Sequence, residues 1–100
     1  MTYQLIIRPE AQLDIEEAFA WYNARNSNLG SEVVRAIDIG LSTIAKNPLA
    51  YPTMFRQARR LRLKRFPYIL FYAVNTDENV ISIVSCFHSK RDPTIWQDRF

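Results

Sequence analysis

The sequence predicts an α+β fold in which a pair of helices packs on one face of a small, mainly antiparallel four-stranded sheet. In the first half of the chain, apolar residues recur every three or four positions, which is the spacing of amphipathic helices. In the second half they alternate with polar residues or form short continuous runs, which is typical of strands. A short apolar run precedes the helices, so the predicted order is β-α-α-β-β-β within one domain of 100 residues.

The first strand and the two helices are predicted from local patterns. Residues 3–7 (YQLII) are apolar and β-branched at their end, which favours a strand. Pro9 then suits the first position of a helix, whose early turns are rich in acidic residues. We expect this helix to end in the polar turn at residues 23–30, and a second helix to span residues 31–46 before Asn47-Pro48.

Three further strands are predicted in the second half. In residues 59–65, Leu61 and Leu63 alternate with cations, which is the period of a strand with one buried face. Residues 68–74 (YILFYAV) are apolar on both faces and are expected in the centre of the sheet. Residues 80–87 complete an antiparallel meander, which the first strand joins.

The remaining segments are predicted to be connections. Residues 48–57 contain two prolines and are expected to link the second helix to the sheet. Asp92-Pro93 has the form of a helix start, so residues 94–99 are expected to form one or two helical turns. The face of the sheet away from the helices is expected to stay partly open.

Composition excludes several classes of protein. With 48% hydrophobic residues the chain has enough apolar side chains for a core. A single cysteine cannot close an internal disulfide, which points to a reducing cytoplasm. We also expect no signal peptide, membrane span, metal site or cofactor.

The positive charge is concentrated in one segment. The formal net charge is +3, and six of the 13 lysines and arginines lie within residues 56–65. Arg60, Arg62 and Lys64 are predicted on one strand face, spaced by about 6.6 Å. Such a row favours a polyanion or an acidic protein partner. The alternative is a solvated strand face whose charge prevents edge-to-edge pairing.

Five residues are considered for site chemistry. His88 directly follows the last strand and lies near Arg91, so the pair could transfer protons and stabilise charge on a phosphate. The alternative is an ordinary surface histidine at a strand end. Tyr68 and Tyr72 share a strand face and could stack on bases, or be half-buried sheet residues. Cys86 is interpreted as a buried structural thiol.

An ordered set of motifs runs through most of the chain. The set comprises RPEAQLDIEEA at residues 8–18, WY at 21–22, NP at 47–48, YP at 51–52, RRLRLKRFPY at 59–68, FY at 71–72 and HSKRDPTIW at 88–96. In this order and at this chain length, the motifs resemble the RelE/ParE superfamily of small bacterial toxins, in its ParE-like, plasmid-stabilisation branch.

The resemblance implies the toxin of a type II toxin–antitoxin pair, whose partner is a small antitoxin that orders as it wraps the toxin. The resemblance is compatible with two kinds of cellular target. RelE-like members cut messenger RNA in the ribosome, using basic residues and often a C-terminal tyrosine. ParE-like members poison DNA gyrase and are not nucleases.

Two positions depart from the pattern of the RNA-cutting members. Their central strand typically reads YRLVY, with the arginine contacting the phosphate, and Ile69 occupies that position here. Arg91 matches the arginine after the last strand, but Gln97 replaces the tyrosine expected six residues later. Loss of phosphate-binding and acid–base groups costs on the order of 10²-fold or more in rate each.

We therefore predict a ParE-like toxin that inhibits DNA gyrase or a related topoisomerase and is neutralised by a cognate antitoxin. One alternative is a RelE-like, ribosome-dependent mRNA endonuclease in which His88 and Arg91 would be the catalytic candidates. Another is a degenerate, non-toxic binding module. The residues predicted to form the functional surface are Arg60, Arg62, Lys64, Arg65, His88 and Arg91.

Overall fold

The computed structural model describes residues 2–100 and has the predicted α+β architecture. Within these residues, one strand precedes two long helices, four further strands follow the helices, and a short helix comes last. The elements are β1 (Gln4–Ile7), α1 (Pro9–Arg25), α2 (Ser27–Lys46), β2 (Thr53–Phe55), β3 (Ala58–Arg62), β4 (Tyr68–Asn75), β5 (Val80–His88) and α3 (Thr94–Gln97).

The strands form one sheet in the order β1-β5-β4-β3-β2. Strands β2 to β5 are an antiparallel meander, and β1 lies parallel to β5 at the opposite edge. The sheet is therefore mainly antiparallel, as predicted, but it has five strands rather than four. The additional strand, β2, is three residues long, which is too short to show an alternating pattern in the sequence.

The two long helices are separated by one residue, so the predicted turn at residues 23–30 is wrong. Asn26 is extended (φ −164°, ψ 123°) and its side chain accepts a hydrogen bond from the backbone N–H of Asn28 at 2.9 Å. That bond is the cap of α2, because it satisfies one of the N–H groups that a helix start leaves free. The polar side chains of this segment reflect its exposure to solvent, since all of its residues except Asn26 are helical.

The two faces of the sheet have separate cores. The face covered by α1 and α2, here called the helix face, has an aliphatic core that includes Val33, Ile37, Ile44, Leu61, Leu70 and Ile83. Helix α2 approaches this face closely at Gly40, where an added Cβ would lie 2.9 Å from the Leu70 Cδ1 atom. Glycine is therefore favoured there by close packing rather than by backbone conformation, since a larger residue would displace the end of the Leu70 side chain.

The opposite face, here called the tail face, is covered by the C-terminal residues. Its core consists of Ala58, Ile69, Phe71, Phe87 and Trp96, with Phe55 and Phe100 packed beside it. The Trp96 ring stacks on Phe71 with centroids 3.9 Å apart and planes at 13°. The expectation of a partly open face is thus wrong over its centre, because α3 places a tryptophan on it.

Candidate functional site

The predicted basic strand ends earlier than the sequence suggests. Strand β3 ends at Arg62, and Lys64 and Arg65 lie in the bend that follows. Arg60 pairs with Phe71 and Arg62 with Ile69 across the sheet, so both arginines project from the tail face. The six predicted surface residues therefore share one end of the sheet but not one face.

Lys64 and Arg65 lie beside a groove between α2 and the end of β3, here called the α2 groove. The groove has a volume of about 470 Å³ and an apolar floor that includes Gly40, Leu61 and Leu63. Ile39 of α2 lies at the side of the groove and is 62% exposed. Arg62 also reaches the rim, and Arg65 contacts Glu32 at 3.5 Å. That contact is between exposed groups and contributes little stability.

A second cavity lies where α1 crosses the start of β4 and the end of β5, and is here called the α1 pocket. Its volume is about 320 Å³, and its lining residues are Asp14, Glu17, Ala18, Trp21, Tyr22, Tyr68, Cys86, His88 and Arg91. Trp21, Tyr22, Tyr68 and His88 form a continuous series of edge-to-face ring contacts, with centroid separations of 4.9, 6.2 and 5.2 Å. The series fixes Tyr68 and His88 on one wall of the pocket.

His88 and Tyr68 present hydrogen-bond donors in this pocket. The Nδ1 atom of His88 accepts a hydrogen bond from the Lys90 backbone N–H at 3.1 Å, which places the proton of the neutral ring on Nε2. Burial raises the pKa of the Tyr68 hydroxyl, and the nearby Tyr22 and Cys86 side chains raise it further. Tyr68 therefore stays protonated at neutral pH and can donate.

Asp14 forms the floor of the α1 pocket and is held by four donor groups. Its Oδ2 atom accepts hydrogen bonds from the Ser85 hydroxyl at 3.2 Å and the Cys86 backbone N–H at 3.0 Å. Arg99 donates to both of its carboxylate oxygens, at 2.6 and 3.3 Å. This ion pair joins α1 to the C-terminal tail, and we call it the Asp14–Arg99 clasp.

The clasp occupies the place where a neighbouring strand is missing. Strand β1 pairs with β5 only as far as Ile83, so within residues 2–100 the following residues of β5 have no strand beyond them on that side. Arg99 donates to the Val84 carbonyl at 3.2 Å, and Asp14 accepts from the Cys86 N–H. The hydrogen bond to Asp14 also raises the pKa of Arg99. The pair therefore satisfies backbone groups that β1 does not reach.

Sequence reasoning missed the role of Asp14, which it interpreted only as part of an acidic first helix. The position of Asp14 in the sequence could have indicated this role. Asp14 lies three residues after Ala11 and four before Ala18, so it shares the buried face of α1, and it is only 8% exposed. A carboxylate on an apolar helix face indicates a buried partner.

Ile69 lies inside the aromatic core of the tail face. It is 5% exposed and belongs to the same cluster as Phe71 and Trp96. Arg91 lies at the margin, with its guanidinium carbon 5.2 Å from the centre of the Phe87 ring. The position that would carry a phosphate-binding arginine in the RNA-cutting pattern is therefore apolar and covered.

Two other candidate residues are structural. Burial raises the pKa of the Cys86 thiol to about 12, and the thiol is only 2% exposed, which agrees with the prediction of a structural cysteine. Tyr72 is fully buried, and its hydroxyl donates to the Pro48 carbonyl at 2.8 Å. Its side chain is thus part of the core rather than a surface for stacking bases.

Neither a metal site nor a membrane span is found in the part of the chain that the structure describes. Among residues 2–100 no three His, Cys, Asp or Glu side chains are grouped closely enough to bind a metal ion. No helix within the same range is both long enough and apolar enough to cross a bilayer.

A comparison with models of protein families identifies the class of protein. Residues 5–93 match the family model described as "ParE toxin of type II toxin-antitoxin system, parDE". The chain therefore belongs to the ParE toxin family and is the toxin of a type II toxin–antitoxin system. A comparison with curated protein sequences gives no significant match.

Solved structures share the fold at low sequence identity. The chromosomal ParDE toxin–antitoxin system from P. aeruginosa matches with a TM-score of 0.77 at 16% identity, covering 89% of this chain and 98% of that one. A double mutant of E. coli toxin RelE in the free state matches with a TM-score of 0.70 at 17% identity, covering 97% and 94%. The RelBE2 complex from Mycobacterium tuberculosis matches at 0.63 and 13% identity, covering 88% and 92%. At these identities the matches establish the fold alone.

Proposed function

We propose that this toxin inhibits DNA gyrase or a related topoisomerase by binding it in the cytoplasm, and does not cut messenger RNA. The observation that carries the proposal is Ile69, which is buried in the same core as Trp96 where the RNA-cutting pattern has an arginine. Transition-state charge on a phosphate needs donors placed around it in advance. An aromatic core offers none.

The proposed contact surface for the target is cationic and lies around this core. Arg60 and Arg62 project from the tail face, and Arg91 lies at its margin beside Phe87. All three side chains are exposed. Arginines around an apolar centre are typical of protein interfaces, because the guanidinium binds carboxylates in a fixed geometry while its plane packs on rings.

We further propose that a cognate antitoxin binds the α2 groove. An amphipathic segment would bury its apolar face against Leu61, Leu63 and Ile39, and its acidic side chains would meet Lys64 and Arg65. Ile39→Glu tests this proposal because the new charge opposes burial of the segment. We expect it to weaken antitoxin binding by about tenfold or more. Leu13→Glu, which alters an equally exposed residue on α1, is the control.

The proposed target is tested with purified toxin in a gyrase supercoiling assay that also measures cleavage complexes. We expect inhibition by the native chain and about tenfold weaker inhibition by the Arg60→Ala/Arg62→Ala double variant. Arg8→Ala/Arg35→Ala, which removes two exposed arginines elsewhere, is the matched control. Unchanged supercoiling and cleavage-complex levels with native toxin would refute the proposal.

The same question can be asked in cells, where the two alternatives give different results. After induction without antitoxin, we expect DNA synthesis to fall before protein synthesis in pulse labelling. If protein synthesis falls first and messenger RNA is cut, the chain is a ribosome-dependent endonuclease whose catalytic candidates are His88 and Arg91. Harmless expression of folded protein would instead indicate a non-toxic binding module.

A further inference from the structure

We propose that the α1 pocket binds an acidic side chain of a protein partner, with a basic side chain of the same partner beside Glu17. The proposal rests on the proposed function in one respect, namely that the toxin's target is a protein. It concerns a neighbouring surface, because the pocket opens beside α1 on the helix face and shares only Arg91 with the margin of the tail face.

Three donors converge on the pocket from two elements and the loop after β5. They are the Tyr68 hydroxyl, the Nε2–H of His88 and the Arg91 guanidinium. The hydrogen bonds found within residues 2–100 use none of these three groups as a donor. A carboxylate accepts several such bonds at once, and bonds to a charged group are roughly twice as strong as neutral ones. The site therefore suits an anion.

The carboxylate on the pocket floor does not oppose an incoming anion. Asp14 is paired with Arg99 through both of its oxygens, so its charge is compensated inside the protein. Glu17, which is exposed at the rim, has no hydrogen bond or ion pair among the described residues. The pocket thus combines a site for a negative group with a neighbouring site for a positive one.

The size and walls of the pocket fit a side chain better than a polymer. A volume of about 320 Å³ lies at the lower end of the range for ligand pockets, which is about 300–1,000 Å³. Tyr22 and Tyr68 form aromatic walls that pack on the methylene groups of an acidic residue. Such pockets are where interfaces place their anchor residues.

The charge of α1 favours a protein partner over a nucleic acid. Between residues 9 and 24 the helix carries four carboxylates and no lysine or arginine. Glu10, Glu16 and Glu17 are exposed. A nucleic-acid strand carries about one charge per 3.4 Å and would bring several phosphates against this face. A peptide with one acidic and one basic residue satisfies Arg91 and Glu17 together.

The experiment is a chemical-shift titration of ¹⁵N-labelled toxin with the capped dipeptide acetyl-Glu-Lys-amide. We expect saturable shifts centred on Tyr68, His88 and Arg91 at millimolar concentration. Acetyl-Gln-Lys-amide, which lacks the carboxylate, should bind about tenfold more weakly. Equal binding of the two dipeptides, or shifts located elsewhere, would overturn the proposal.

Variants of the toxin test which side chains bind the dipeptide. Arg91→Ala should weaken binding of acetyl-Glu-Lys-amide by about tenfold. Arg35→Ala, which alters an exposed arginine on α2, should leave the affinity for this dipeptide unchanged. Glu17→Gln should reduce the preference for the dipeptide over acetyl-Glu-amide. If Arg91→Ala does not fold, Tyr68→Phe removes one donor and retains the ring. Equal affinity of these variants and the native chain contradicts the assignment.

Two further probes separate this inference from its alternatives. If inorganic phosphate or a single-stranded oligonucleotide saturates the pocket at lower concentration than the dipeptide, the site binds phosphate and the proposal fails. The titration contains no gyrase. Dipeptide binding without gyrase inhibition therefore refutes only the proposed target, and gyrase inhibition without dipeptide binding refutes only the assignment of the pocket.

Discussion

Where β4 begins and β5 ends, the two faces of the sheet carry opposite kinds of side chain. On the helix face, Tyr68 and His88 line a pocket with hydrogen-bonding groups beside the Asp14–Arg99 clasp. On the tail face, Ile69 and Phe87 lie in an apolar core covered by Trp96. These residues alternate along the same two strands, so neighbours in sequence serve different surfaces. The chemistry of this toxin must therefore be assigned to a face of the sheet, not to a strand.

The largest expected effect compares the two tryptophans. Trp96 is 4% exposed and stacked on Phe71, whereas Trp21 is 50% exposed beside the α1 pocket. Removing a buried tryptophan costs about 3–5 kcal/mol, because both burial and packing are lost. We expect Trp96→Ala to lower the free energy of unfolding by that amount and Trp21→Ala by about 1 kcal/mol. Urea unfolding measures both, and equal losses would show that the tail does not close its face.

Removal of the Asp14–Arg99 clasp is expected to have the next largest effect on the free energy of unfolding. Asp14→Ala leaves the Cys86 N–H without its acceptor and the Arg99 charge without its carboxylate, and should cost on the order of 3 kcal/mol. If the two residues act as a pair, a double-mutant cycle with Arg99→Ala should give a coupling energy of about 1–3 kcal/mol. Additive losses in the cycle would mean that the tail is held by Trp96 alone.

Alkaline pH tests the interior of the helix face. Because burial raises the pKa of Cys86 from 9.0 to about 12, the unfolded chain loses this proton at lower pH than the folded one. Stability is therefore complete below pH 9 and falls as the pH rises, by about 1.4 kcal/mol per pH unit for one such group. Urea unfolding from pH 8 to 11 should show this slope.

The matched variant for the alkaline experiment is Cys86→Ala, which removes the thiol and should flatten the slope. A residual slope above pH 10 is still expected, because burial also raises the pKa of Tyr72 to about 12. An unchanged slope in Cys86→Ala would assign the effect to Tyr72 and other groups.

The smallest expected effect concerns the turn that carries Phe55 to the tail face. Arg56 has a positive φ of 53° in the tight turn between β2 and β3, and Phe55 makes an edge contact with Trp96. A residue with a Cβ is strained in that conformation, so Arg56→Gly should stabilise the protein by about 0.5 kcal/mol. Gln57→Gly should instead destabilise it by a similar amount. Thermal unfolding distinguishes these variants, and equal midpoints would show that the turn is not strained.

Much of the architecture could be predicted because it depends on short-range patterns. The spacing of apolar residues along α2 and the alternation around Leu61 and Leu63 identify a helix, a strand and the faces they bury. The basic segment was also visible, although its division between the tail face and the α2 groove was not. That division depends on where β3 ends, which is set by the bend after Arg62.

The features that the sequence did not reveal require contacts between distant residues or very short segments. Strand β2 forms because β3 is beside it, since three residues carry no pattern of their own. Helices α1 and α2 both extend into the polar residues 23–30, which local patterns assign to a turn. Asp14 becomes a structural carboxylate because Arg99, 85 positions away, reaches it past β5.

By itself, the sequence predicted the fold class and, through its resemblance to known toxins, the family and the two departures from the RNA-cutting pattern at Ile69 and Gln97. These follow from residue identity and from periods of two to four residues, which act locally along the chain. The tertiary structure alone decided that the tail closes one face and that a pocket with hydrogen-bonding groups remains on the other. Both depend on side chains that meet after the chain has folded, because their positions are set by sheet register and by the clasp between the first helix and the last residues.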